Sequence, residues 1–362
     1  MNMISQFSLE PLHLVDIGGT KRILKMLVER KASKIYLKPS SLALIDDLIG
    51  NLSPFIPSEF GQWKPKALKL YGTFKGKELK RFLKYDGLLT MWLVEEVLPQ
   101  EHKGFFDCFL KYALGIRILS DPELCIPYAD DANYLLEEFV KLSVKVFGPH
   151  FVVFNIHHLT HLADECKQHG PLENFDAYLY ESYLGQLGKL MNAPGRPLPQ
   201  IIARILEREK WGFTGSISTP KPELSSPYFV GPTNGLRGET HGEFHGDFTI
   251  RVSSPNDTCL LTKSREVVIV ENILKDVDNN VIYFVGRSFV SKEPYFMSPI
   301  DSSVLDIFKV RSLGPMNHWS LSEIKKTCFL MPLDLNKNKL RERFEEGCLA
   351  VPFTHRFVKN AT

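Results

Sequence analysis

No apolar run in this chain reaches the roughly 18 residues that a helix needs to cross a bilayer. The longest apolar stretch, residues 110–119, is interrupted by Lys111 and Arg117. The N-terminus lacks a basic stretch followed by a continuous apolar core, so no secretory signal is expected. No CxxC pair occurs. The six cysteines (Cys108, Cys125, Cys166, Cys259, Cys328 and Cys348) are scattered, which points to reduced, buried thiols rather than a disulfide framework or a zinc site. There is no GxSxG, no P-loop and no GxGxxG, so an esterase elbow or a nucleotide-phosphate cradle finds no support. No repeat of fixed period stands out. Charge of one sign is also scarce: the net charge is +2, without the concentrated basic face common in compact DNA-binding domains.

What is present fits a globular protein. The chain has 362 residues, a soft prior for two domains. Hydrophobic residues make up 44% and charged residues 24%, enough for a sizeable core. Basic residues cluster locally at 64–84 and 337–344; each cluster suits phosphate contacts or a solvated helix face. Within the first, Lys75, Lys77, Lys80 and Arg81 are the candidate DNA contacts.

Residues 1–212 read mainly as helix. Helical spacing of apolar residues occurs at 21–31, 42–52, 77–98, 105–119 and 129–147, separated by Pro and Gly breaks. The run FVVF at 151–154 reads as a strand. Residues 213–243 are rich in Gly, Pro, Ser and Thr and read as a linker. From 244 the period changes to two. Strands are expected near 247–253, 258–262, 266–273, 281–289 and 304–310, then at 328–332, with a last helix at 337–346. The fold class expected is α+β: a helical region 1–212, the linker, and a small β-barrel-like domain at 244–362.

Chemistry-bearing residues concentrate at 151–200. His157 and His161 are four apart and share a face if helical. A zinc protease would need Glu beside the first histidine, where His158 stands, so that reading is rejected. The imidazoles then either bond buried helix ends, organise a site, or ligate a metal directly. Glu181 lies beside an apolar stripe of Tyr180, Tyr183, Leu184 and Leu187 on a second helix. A carboxylate so placed is costly to bury unless it is paired or holds a cation. Alone, it is an ordinary helix carboxylate.

The order Asn155, His157, His161, Leu162, then Gly170-Pro171-Leu172, then Tyr180, Glu181, Leu184, Gly185 and Leu187 resembles the terminal part of the catalytic region of CACTA-type (En/Spm-like) DNA transposases. The similarity extends to PLHLVDIG at 11–18, to Pro57, Glu59, Phe60 and Pro65, and to Phe82, Leu83, Tyr85 and Gly87. It spans about residues 9–212. A domain of unknown function that accompanies these transposases is expected over the 155–190 segment. The resemblance implies an RNase H-like fold with a helical insertion and Mg²⁺-dependent strand transfer, with Glu181 as the last acidic metal ligand. Asp16 is the candidate second acid. His157 and His161 would organise the site. The strands that present the first Asp are missing, so a truncated or domesticated transposase with an incomplete acidic set is expected. It would be nuclear and associated with DNA, not with a membrane.

The C-terminal region resembles small SH3-like or chromatin-associated β-modules. Trp319, Phe284, Phe289, Tyr295 and Phe296 are either an aromatic ligand cage or core. The alternative function is a non-enzymatic scaffold that binds a protein or chromatin partner through this region.

Overall fold

The structure is a computed structural model that describes residues 8–30, 35–61, 64–191, 195–210, 222–227, 231–335 and 344–354. The basic cluster at 337–344, except Phe344, and most of the expected last helix lie outside the described residues, as does much of the linker.

The N-terminal half begins with a π-helical segment, Leu12–Thr20, that runs directly into α1 (Lys21–Val28). Then come α2 (Pro39–Gly50), α3 (Gly76–Lys84), α4 (Asp86–Val97), α5 (Phe105–Ser120), α6 (Ala129–Phe147), α7 (Phe154–His158), α8 (Leu162–His169), α9 (Tyr178–Lys189) and α10 (Pro197–Lys210). The helix expected over 77–98 is two helices, because Tyr85 breaks the α geometry with φ −133° and ψ −88°. The strand expected at 151–154 is corrected. Pro149–Phe151 is a 3-10 turn and Phe154 opens α7; Phe151 is buried while Val153 and Phe154 are both exposed, so the run does not alternate as a strand would.

The C-terminal half is antiparallel β: β1 (Glu223–Pro227), β2 (Glu239–His245), β3 (Thr249–Arg251), β4 (Cys259–Thr262), β5 (Val267–Asp276), β6 (Val281–Pro294), β7 (Phe308–Ser320), β8 (Ile324–Pro332) and β9 (Cys348–Pro352). The compact barrel-like module of the sequence reading is corrected to one nine-stranded sheet, in the order β1-β2-β5-β4-β8-β9-β7-β6, with β3 on β2. β6 also pairs with β5, so the sheet curls back on itself while β1, β2 and β3 stand off as an extension. The strands β6 and β7 are 14 and 13 residues long, and register shifts occur at Val270/Asn272 in β5 and at Arg287/Phe289 in β6. The strand β1 and the first five residues of β2 fall inside the expected linker. Their Gly, Pro and Ser content hides the alternation that buries Phe244.

The two halves share a core. Leu305, Ile307, Phe329, Met331, Leu349, Val351 and Phe353 pack in the same cluster as the helical residues. Phe60 sits at the join, with ring centres 5.3 Å from Tyr85, 5.9 Å from Phe329 and 5.2 Å from Phe353. Arg117 Nη1 donates to Lys84 O at 3.0 Å, and its Nη2 to Pro352 O across the join. Phe284 and Trp319 are buried, Phe289 is 8% exposed, and Tyr295 and Phe296 pack against the shared core. These rings are core, not an open cage. The six cysteines are buried free thiols.

Candidate functional site

The N-terminal phrase and the segment around Glu181, more than 160 residues apart in sequence, meet at the π-helical segment. Two rungs join it to α9. Tyr178 Oη donates to Asp16 Oδ2 at 2.9 Å, and His13 Nε2 lies 3.4 Å from Glu181 Oε1. Glu10 holds the start of both elements: its Oε1 accepts from Leu12 N at 2.6 Å and from Ala177 N at 2.7 Å, and its Oε2 accepts from His13 N at 2.9 Å.

A π-helical turn displaces carbonyls from the regular ladder, and such turns persist where something else satisfies them. Here Tyr112 Oη donates to Val15 O at 2.9 Å and Asn155 Nδ2 to His13 O at 3.3 Å. Both side chains press against the glycine pair. A Cβ on Gly18 would lie 2.2 Å from Asn155 Nδ2, and one on Gly19 would lie 2.3 Å from Tyr112 Oη. Asp16, Gly18, Asn155 and Glu181, all from the motif residues, therefore each fasten this segment or give room to what does.

Beneath Asp16 lies a buried charge network from α3 and the turn before α9. Lys80 Nζ is 3.1 Å from Glu173 Oε1 and 3.0 Å from Asp176 Oδ2, and 4.9 Å from the Tyr178 ring centre. Lys84 Nζ is 2.6 Å from Glu173 Oε1. Burial pushes the Asp16 carboxyl up to about 7, against the attraction of Lys80 and Lys84 and the Tyr178 bond. Burial pulls Lys84 down to about 8, with Glu173 opposing and Lys80 adding to the shift. Burial would also lower Lys80, but Glu173, Asp176 and Asp16 outweigh it and hold it above its ordinary value. Tyr178 is raised by burial and by Asp16.

The candidate DNA contacts separate. Lys75 and Lys77 are exposed. Lys80 is committed to the buried network. Arg81 is corrected: its side chain is 4% exposed, with Nε 3.2 Å from Asp86 Oδ1, so no phosphate reaches it. The burial of α3 on that face, where Leu79, Phe82 and Leu83 pack, takes Arg81 inward.

His157 and His161 are exposed, with ring centres 5.5 Å apart and His158 within 5.7 Å of both. They do not bond buried helix ends, as one reading of the sequence had it, because α7 stops at His158 and a 3-10 turn carries His161 on the surface. The stripe beside Glu181 is not buried either: Tyr180, Tyr183 and Leu184 are 54–71% exposed, Leu187 is half-buried, and no residue of α9 is buried.

Mg²⁺ needs several convergent oxygen ligands. The residues present do not fit it. Asp16 is sealed under Tyr178 with a carboxyl that holds its proton up to about 7, whereas Glu181 is about half exposed and faces His13. Among the described residues no group of three or more His, Cys, Asp or Glu side chains is placed to hold a metal ion. Among them, too, no helix is long and apolar enough to cross a membrane.

The profile of a domain of unknown function (DUF8592) matches residues 237–347. The match covers most of the sheet and lies C-terminal to the 155–190 segment where such a domain was expected. No match was found to a curated protein or to a solved structure.

Proposed function

We propose that this is a transposon-derived protein that associates with DNA and lacks a strand-cleaving centre. The observation that carries the reading is the separate fastening of the two acids: Asp16 to Tyr178 inside the protein, Glu181 to His13 at its surface. Two-metal chemistry depends on carboxylates held at fixed positions around the same ions. These two instead serve as rungs between the π-helical segment and α9. The transposase resemblance supplies the origin. The RNase H-like sheet would be the part that is reduced, and the described residues from 8 to 210 contain no strand. A DNA-associated role puts the protein in the nucleus.

DNA contact falls to the exposed lysines Lys64, Lys75 and Lys77. Lys66, two residues after Lys64, bonds Thr73 O at 3.2 Å and Glu78 Oε2 at 2.9 Å, which ties the chain near Lys64 to the start of α3. Each phosphate contact releases counterions, so affinity falls with salt and the logarithmic slope loses about 0.9 per contact removed. Electrophoretic shift titrations over a salt series test the reading. The expected result is weak, salt-sensitive binding whose slope drops by about one for Lys75→Ala and again for Lys77→Ala. Binding that ignores both substitutions would refute it.

A second reading, the non-enzymatic scaffold, is favoured by the open apolar stripe of α9. Retention of a protein partner that is lost on Tyr180→Ser, with no DNA binding, would select it.

A further inference from the structure

Where the two halves join, Glu59 and Asp257 each bond the backbone of the opposite half. Glu59, from the helical half, accepts from Thr249 N at 3.3 Å, and Asp257, from the sheet half, accepts from Ser58 N at 2.7 Å. Each bond uses one carboxylate oxygen. The other two, Glu59 Oε2 and Asp257 Oδ2, are sealed from solvent and have no hydrogen-bond donor. The Asp257 side chain is only 2% exposed. Both carboxylates line one cavity of about 10 Å³, with Thr249, Asn256 and Thr327 as further polar wall and Pro57, Cys259, Cys328 and Phe353 as the rest. That space holds about one water-sized particle.

Unpaired buried carboxylate oxygens are expensive. One positive group stands nearby: Arg251 Nη1 is 3.6 Å from Asp257 Oδ2, close enough for attraction but too long for a hydrogen bond. Arg251 is also bonded to Ser58 Oγ and lies 3.8 Å from Glu243 Oε1. At the cavity, two carboxylates share one guanidinium that also faces Glu243, which leaves a negative charge uncompensated in a space for one particle, where the two carboxylates are the charged oxygen donors of an otherwise neutral wall.

We propose that this cavity is a binding site for one dehydrated monovalent cation, K⁺ or Na⁺, that ties the helical half to the sheet. Its single charge balances the surplus, and oxygen donors suit hard cations. Mg²⁺ is excluded by size, because it retains water ligands for which this cavity has no room. A proton is the natural competitor. Burial, with Asp257 adding and Thr249 N and Arg251 opposing, raises the Glu59 carboxyl to about 7. The cation site is therefore open above that pH and closed by protonation below it.

The test is thermal unfolding of the full chain in KCl, NaCl or choline chloride at equal ionic strength, at a pH on either side of 7. The expected result is a midpoint higher by roughly 2–4 °C in KCl or NaCl than in choline chloride above pH 7, and no difference at the acidic pH. Glu59→Gln and, separately, Asp257→Asn abolish the salt-identity effect. Crystals soaked in a thallous salt would show an anomalous peak between the two carboxylates. Equal midpoints in all three salts above pH 7, or a thallium map empty at that place, would overturn the proposal and leave the cavity to a water or a proton.

Discussion

Tyr178 Oη and Asp16 Oδ2 lie 2.9 Å apart, and that bond spans 162 residues of chain to fix the π-helical segment against α9. It also explains why Asp16 is no free metal ligand. The carboxyl has no exposed face to offer, and its proton is retained into the neutral range.

Removing that donor should cost stability. Tyr178→Phe leaves a buried acceptor short of its partner, a loss of about 1–3 kcal/mol. Urea unfolding measures it. Asp16→Asn should cost less than Asp16→Ala, because the amide still accepts from Tyr178. Equal losses would show that the bond is not what holds the segment.

The glycine pair gives a steric prediction. Gly18→Ala places a methyl 2.2 Å from Asn155 Nδ2 and 2.6 Å from His13 O, and the second neighbour is backbone. Overpacking of this kind costs about 1–3 kcal/mol. The double variant Gly18→Ala with Asn155→Ala should recover only part of the loss, since the His13 carbonyl still obstructs. A double-mutant cycle of unfolding free energies checks the sign.

Stability should fall as pH rises from about 4 to about 7. Asp16 and Glu59 both have folded-state pKa values raised to about 7 from 3.8 and 4.5, so the folded state binds more protons than the unfolded one across that window. Their contribution is complete below the unfolded values and is lost as pH passes the folded ones. Lys84 acts at higher pH. Its pKa is lowered to about 8 from 10.5, so the unfolded state binds more protons between about 8 and 10.5, and stability recovers there. Denaturant midpoints against pH should trace a minimum near neutrality, and Asp16→Asn with Glu59→Gln should flatten the acidic limb. A wild-type profile that rises from pH 4 to 7 would reverse the sign of the argument.

Arg81 and Lys77 should behave differently although both belong to the same basic cluster. Arg81→Met strands a buried Asp86 and should cost about 3–5 kcal/mol. Lys77→Met, at an exposed position, should change stability by no more than about 0.5 kcal/mol. Comparison of their unfolding midpoints, with DNA affinity read on the same samples, separates structural from surface lysines and arginines.

Much of the architecture was legible in local periodicity. The apolar spacing at 105–119 and 129–147 predicts α5 and α6 almost to the residue, and the switch to period two near 244 marks the sheet. Three things were not legible. The π-helical segment has no periodic signature, because its stability comes from Tyr112 and Asn155, which are distant in sequence. β1 and β2 hide in a Gly- and Pro-rich stretch because only pairing with β5 and with each other stabilises them. The inward turn of Arg81 depends on which face of α3 the rest of the protein covers. At the site, sequence singled out Asp16, Glu181 and Asn155, and the structure brings their segments together. It could not foresee Tyr178, a tyrosine among several, or the network of Lys80, Lys84, Glu173 and Asp176, whose partners meet only in the fold. One signal was available: Gly18-Gly19 inside an otherwise apolar helical phrase implies close approach by other groups.

The central claim is that Asp16, tied to Tyr178 inside the protein, and Glu181, facing His13 at its surface, do not form a metal-dependent nuclease pair. The most direct measurement is nicking of supercoiled DNA by the purified full chain with and without Mn²⁺, comparing wild type with Glu181→Gln. The account predicts no metal-dependent nicking by either protein and the same unfolding midpoint to within about 0.5 kcal/mol, since an exposed pair such as His13–Glu181 contributes little. Nicking that requires Mn²⁺ in the wild type and disappears in Glu181→Gln would contradict it.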